Sequence, residues 1–185
     1  MHILYGSQTG NSEDIAMSLS SRCVDELGLD DVECSPLNTI KKTLGTLRER
    51  ASILVVVCST TGNGDAPENA LGFWREAKKR TLAKETLEGL PFCVLGLGDT
   101  NYDQFCHMGK SIDSRLNDLG AKRLFPVGCA DEATGLEEVV DPWLDSALDA
   151  IKVIVSNSLS ESGDVEKDSR PVVDAAERLD DLSIA

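Results

Sequence analysis

The chain has 185 residues, 41% of them apolar, and a formal net charge of −14. That is enough apolar material for one buried core, while the charge balance excludes a nucleic-acid surface, because phosphate backbones demand clustered lysine and arginine. No apolar run approaches the roughly 20 residues that a spanning helix requires, so no membrane contact and a cytoplasmic location are expected.

The apolar opening His2-Ile3-Leu4-Tyr5 predicts a first strand over 2–5, and the periodic Ile15, Leu19, Cys23 and Leu27, stopped by Gly28, predict a helix over 12–27. Between them lies Gly6-Ser7-Gln8-Thr9-Gly10-Asn11-Ser12. A strand that feeds a helix through hydroxyls, amides and glycines aims free backbone N–H groups and the positive end of the helix dipole at one point, where a phosphate monoester is stabilised. The lysine of the G-x-x-x-x-G-K-[ST] loop is missing, so a bound phosphate is a handle and not a reactant. An ordinary helix start capped by Ser or Asn is the alternative.

Further strands are expected over 32–37, 53–58, 92–97 and 123–127, and helices over 69–80, 108–119 and 135–155, with no clear element in 40–50. Ile53 to Cys58 and Phe92 to Leu97 are nearly continuous apolar runs, the pattern of strands covered on both faces of a parallel sheet. The alternation of strand and helix predicts a doubly wound, three-layer α/β fold with five parallel strands. From Ser156 the periodicity ends and acidic residues outnumber basic ones by eight to three. Residues 1–155 are therefore expected to form the domain and 156–185 a disordered acidic linker or tail, with a short helix through Val172, Val173, Ala176, Leu179 and Leu182 as the alternative. Cys23, Cys34, Cys58, Cys93, Cys106 and Cys129 contain no C-x-x-C pair. Buried free thiols and no metal site are expected.

Two more loops follow strand ends: Ser59-Thr60-Thr61-Gly62-Asn63-Gly64-Asp65 and Gly98-Asp99-Thr100-Asn101-Tyr102-Asp103-Gln104-Phe105-Cys106. In open α/β sheets ligands bind outside the carboxyl ends of the strands, where the strand order switches. Glycines allow close approach to a flat ligand, and Tyr102 and Phe105 offer faces for stacking. Three such loops at successive strand ends point to a planar cofactor carrying a phosphate. Asp65, Glu68, Asp103 and Glu132 around the crevice either steer basic partners or serve solubility.

These stretches resemble the FMN-binding, flavodoxin-like module of the NADPH-dependent diflavin reductases over about residues 2–150. The carriers are Tyr5 to Gly10, Ser59 to Asn69, Leu95 to Tyr102, and Gly128-Cys129-Ala130-Asp131 ahead of Asp141-Pro142-Trp143. Cys106 after Phe105, and Gly135-Leu136-Glu137, are similar to the methionine synthase reductase branch; Phe73-Trp74-Arg75 is similar to the branch that feeds iron–sulfur assembly. The resemblance implies the flavodoxin strand order 2-1-3-4-5 with FMN at its crevice. It implies Ser7, Gln8, Thr9, Gly10, Asn11 and Ser12 around the phosphate, and Ser59, Thr60, Thr61, Gly62 and Gly64 along the ring. Leu97, Gly98, Asp99, Tyr102, Phe105 and Cys106 would close the other side, with Asp131 near the ribityl chain or ring edge. Many relatives carry a tyrosine where this chain has Thr61, which leaves one ring face less covered. The implied partners are a reductase domain holding FAD and NADPH outside this chain and a protein electron acceptor, methionine synthase for the favoured branch. A stand-alone flavodoxin-like carrier and a flavin-free scaffold of the same fold are the alternatives.

Overall fold

The computed structural model describes residues 1–163. Strand β1 (His2–Gly6) leads into helix α1 (Asn11–Leu27), followed by β2 (Glu33–Pro36), short 3-10 turns, one-turn helix α2 (Leu47–Arg50), β3 (Leu54–Ser59) and α3 (Leu71–Ala77). Then come β4 (Pro91–Gly98), α4 (His107–Asp118), β5 (Lys122–Arg123), β6 (Gly128–Asp131) and α5 (Glu137–Gly163). All pairings among these strands are parallel, in the order β2-β1-β3-β4-β5, with β6 also on β4. The expected three-layer, doubly wound architecture and its strand order are what the structure has.

Alternation along the buried strands divides the core between the two faces of the sheet. Leu4, Val56 and Val94 face one layer with Phe73 of α3 and Met108, Ile112 and Leu116 of α4. Ile3, Val55, Val57 and Leu95 face the other, with Ala16 and Leu19 of α1 and Trp143, Ala147 and Ile151 of α5. Each fully buried Leu, Ile or Phe contributes roughly 1.5–3 kcal/mol, and both layers are anchored through the central strands β3 and β4.

Three elements differ from expectation. The fifth strand, expected over 123–127, is broken into β5, which pairs with Pro91 and Phe92, and β6, which pairs with Leu95 through Gly98. Pro126 has no N–H to give a ladder, and Phe125 turns toward α5 to meet Trp143 edge-on, with ring centroids 5.8 Å apart. Helix α3 is shorter than 69–80, starting at Leu71 and ending at Ala77; the Arg115 guanidinium donates to the carbonyls of Ala77 (2.6 Å) and Lys79 (3.1 Å), satisfying the helix end from outside. Helix α5 runs on through Gly163, past the boundary expected at 155. The rest of the expected tail, and the short helix from Val172 to Leu182, lie outside the described residues. Among the described residues no helix is long and apolar enough to cross a membrane, and Cys34 and Cys129 are half-buried where buried thiols were expected.

Candidate functional site

At the carboxyl end of β1 the chain is held down before it turns. A Cβ on Gly6 would stand 2.7 Å from Cys58 Sγ and 2.9 Å from the Ala70 Cβ, so only glycine lets the loop start this close to β3. Asn69 Oδ1 accepts the Ser7 N–H (2.9 Å), Ser7 Oγ accepts the Gly10 N–H (3.0 Å), and Ser59 Oγ donates to the Gly6 carbonyl (3.2 Å). Gly10 then takes φ 107, and α1 begins with no side-chain cap. The capped-helix alternative therefore does not hold: the first N–H groups of α1 are left without a side-chain acceptor.

Ser12, in the first turn, is completely buried, and its Oγ has no hydrogen-bond partner among the described residues. A buried hydroxyl without a partner is costly, and here it sits in the loop whose backbone is shaped for an anion. Segments 6–13, 59–70 and 98–106 contain no lysine or arginine, so every donor in the cradle is neutral. Ser7 and Gly10 differ from the other expected phosphate holders because their N–H groups are committed, to Asn69 Oδ1 and to Ser7 Oγ. Gln8 and Thr9 are exposed, and Asn11 Nδ2 donates to Glu132 Oε1 at 3.2 Å, linking α1 to the turn after β6.

Beside the cradle a groove of about 290 Å³ opens over the ends of β3 and β4. Of the residues expected along a flavin ring, the structure brings Ser59, Thr60, Gly62, Leu97, Gly98, Asp99 and Tyr102 together as its lining. Tyr102 is 65% exposed. Gln104 and Glu132 also line the groove; sequence reasoning gave neither a place in the ring site. Gln104 lay within the loop already singled out, and a Cβ on Gly64 would come within 3.2 Å of its Cγ, so the two loops meet through that contact.

The remaining expected residues along the ring, Thr61, Gly64, Phe105 and Cys106, do not line the groove; they lie in the loops around it. Thr61 and Asp65 exchange backbone hydrogen bonds (2.9 and 2.8 Å) and close a small hairpin around Gly62 and Gly64. Thr60 Oγ accepts the Met108 N–H at 3.1 Å, tying that hairpin to α4. Phe105 is half-buried beneath the Lys110 ammonium, 5.0 Å from its ring centroid. Cys106 is fully buried and has φ 52, the one positive φ outside glycine among the described residues. Gly98 makes that turn possible, since a Cβ there would stand 2.6 Å from the Cys106 nitrogen. Asp131 does not line the groove; it accepts from Thr100 Oγ1 (2.6 Å), Thr100 N–H (3.0 Å) and Ala133 N–H (2.9 Å). The Thr100 hydroxyl above all, with the two backbone donors, holds its carboxyl below the usual aspartate range.

The sequence model of the flavodoxin family matches residues 3–143. The chain belongs to the flavodoxin family. This flavodoxin-family chain is similar to the solved structure of a cysteine-to-serine mutant of flavodoxin from Pseudomonas aeruginosa, with 29% identity, a TM-score of 0.64, and coverage of 82% of this chain and 97% of that one. It is 39% identical over 150 residues to methionine synthase reductase of Bos taurus, covering 81% of this chain and 21% of that protein. It is 38% identical over 144 residues to NADPH-dependent diflavin oxidoreductase 1 of Danio rerio, covering 77% of this chain and 23% of that protein. The chain thus spans about a fifth of the length of the curated relatives it matches, and the similarity lies in their flavodoxin-like module. Membership in the flavodoxin family implies a flavin, and the uncapped helix start, the partnerless Ser12 hydroxyl and the adjoining groove fit FMN.

Proposed function

We propose that this chain is the FMN-binding electron-transfer domain of a diflavin oxidoreductase, receiving electrons from NADPH through an FAD-bearing reductase domain and passing them to a protein acceptor in the cytoplasm. The methionine synthase reductases among its relatives favour methionine synthase as that acceptor. The observation that carries the proposal is the buried, partnerless Ser12 hydroxyl at an open helix start beside the groove. When bound, FMN supplies the redox chemistry, accepting and releasing electrons.

The chain's own groups bind and orient. Gln8, Thr9, Asn11 and Ser12 take the phosphate with neutral donors, while Asn69 Oδ1 and Ser7 Oγ fix the loop by holding the Ser7 and Gly10 N–H groups. Gly62 and Gly98 bring backbone to the ring edge, with the Gly62 carbonyl the available acceptor for a ring N–H. Tyr102 stacks on one face. Asp99 and Glu132, at the groove, disfavour accumulation of negative charge between the walls. With Asp65 and Asp103, both exposed, they form an acidic rim that orients a basic surface toward the exposed edge. Replacing Asp103 by Lys is expected to slow transfer to a basic acceptor several-fold; an unchanged rate rejects the steering role.

Adding FMN to the purified chain and following its absorption and fluorescence, then adding NADPH with a cognate FAD domain, tests the proposal in two steps. Failure to take up FMN removes it entirely. Uptake without reduction by the FAD domain favours a second reading, a stand-alone flavodoxin-like carrier, which the 97% coverage of a flavodoxin structure supports.

A further inference from the structure

In a chain of net charge −14, the stretch 71–84 carries Arg75, Lys78, Lys79, Arg80 and Lys84 with Glu76 as its one acid. It borders a second groove, of about 440 Å³, lined by Trp74 of α3 and by His107, Lys110, Ser114 and Arg115 of α4. His107 and Asp118, which begin and end α4, both line it, so the groove runs the length of that helix, about 16 Å. At the His107 end it meets the hairpin beside the flavin groove, where a Cβ on Gly64 would stand 3.4 Å from His107 Cδ2.

The cations of this groove are fixed by neutral groups. Lys110 Nζ donates to the Phe105 carbonyl at 2.9 Å, and Arg115 donates to the carbonyls of Ala77 and Lys79. The Lys78 ammonium lies over Trp74, 5.3 Å from the ring centroid. Among the described residues no carboxylate stands within 4.0 Å of Lys78, Lys110 or Arg115. Glu76 is paired with Lys79 and Asp113 with Arg123, both at 2.7 Å, which leaves Asp118 as the acid in the lining.

We infer that this groove docks an acidic, extended segment of the protein that exchanges electrons with this chain. About five residues of extended chain span it, and their carboxylates meet Lys78, Lys110 and Arg115 beside the Trp74 ring. Side chains already held by carbonyls lose little freedom when a carboxylate arrives, and each contact is a charge-assisted hydrogen bond. A short segment stays within a Debye length, about 8–10 Å, of these cations. A membrane surface or a nucleic-acid strand would also cover the acidic surroundings, and Trp74 is half-buried against the core, not free to enter a bilayer. The acidic rim of the flavin groove and this cationic groove give adjoining surfaces of opposite sign, which fixes a partner in one orientation. That the occupant belongs to an electron partner rests on the function proposed above; the preference for carboxylates rests on the groove alone.

The experiment titrates the full, flavin-free chain with an oligoglutamate of about ten residues, longer than the groove, and follows tryptophan fluorescence. Trp143 is buried on the opposite face of the sheet, so the signal reports Trp74. A carbodiimide, which joins a lysine amine to a carboxylate with loss of water, then maps the occupant by mass. Saturable binding is expected, with amide links from the probe to Lys78 and Lys110. The double variant Lys78→Glu, Lys110→Glu is expected to bind at least about tenfold more weakly, and Lys78→Gln about two- to threefold. No binding, or undiminished binding by both variants, overturns the proposal. So do tighter binding of phosphatidylserine vesicles, and links from Lys78 or Lys110 to residues 164–185 or to a second copy of the chain that the probe does not displace. With FMN-loaded chain and a cognate partner, bound oligoglutamate is expected to slow electron transfer several-fold; unchanged transfer both to and from the chain overturns the assignment to an electron partner. The binding measurements need no flavin, so their failure is distinct from a failure to take up FMN.

Discussion

Ser12→Ala separates the two demands on one hydroxyl, because deleting it has opposite effects on stability and on binding. In the flavin-free chain Ser12 Oγ is fully buried and unbonded, a situation that costs roughly 1–3 kcal/mol. Alanine removes that cost and suits a helix first turn at least as well. The flavin-free variant should therefore gain about 1 kcal/mol, which for a domain of this size is about 2–4 °C in Tm. A hydroxyl that meets a phosphate oxygen makes a charge-assisted bond of about 1.5–3 kcal/mol, so FMN affinity should fall about ten- to a hundredfold. Thermal unfolding followed by circular dichroism, with and without FMN, and a fluorescence titration of FMN measure both effects. A flavin-free variant that melts below the wild type, or an unchanged Kd, refutes the assignment of Ser12 to the phosphate.

Gly98→Ala drives a methyl against the Cys106 nitrogen, 2.6 Å away; the loop must move, and a loss of about 1–3 kcal/mol in urea unfolding is expected together with loss of FMN binding. Asn69→Ala releases the Ser7 N–H and is expected to weaken FMN about tenfold by titration, with far-ultraviolet circular dichroism unchanged. Thr61→Tyr keeps the backbone bonds to Asp65 and adds a ring beside the groove, so Kd should tighten about two- to tenfold. The Asp131 carboxyl is held below its usual value; its contribution to stability is complete above the ordinary aspartate pKa of ~3.9 and is lost as pH falls through the depressed value. Asp131→Asn should flatten that acid limb when unfolding is measured from about pH 5 downward.

The central sheet was legible because Ile53 to Cys58 and Phe92 to Leu97 are apolar on both faces, a signal that survives without any tertiary information. The loops were legible because their glycines and hydroxyls sit at the ends of those runs. The break in the fifth strand was not. Leu124, Phe125 and Val127 look like strand residues, yet Phe125 packs on Trp143, Val127 joins the core on the opposite face, and only Leu124 still donates to β4, while the weakly apolar Gly128-Cys129-Ala130-Asp131 resumes the ladder. The end of α3 was equally hidden, since its last carbonyl finds its partner in Arg115, distant in sequence. Within the site, composition marks a loop as a whole but not which of its atoms already have partners. It could not show that Ser7 gives its N–H to Asn69, or that Gln104 and Glu132 reach the groove.

A cradle built only from neutral donors, in a chain of net charge −14, has an uncommon dependence on dissolved ions. A phosphate monoester brings about −1.5 to −2 further charges at neutral pH, and segments 6–13, 59–70 and 98–106 offer no cation to meet them. Added electrolyte screens the long-range repulsion between ligand and chain but leaves the short N–H and O–H contacts nearly untouched. Affinity should accordingly rise with ionic strength, the reverse of a phosphate held by lysine, and a dilute buffer would strip the site where brine would fill it.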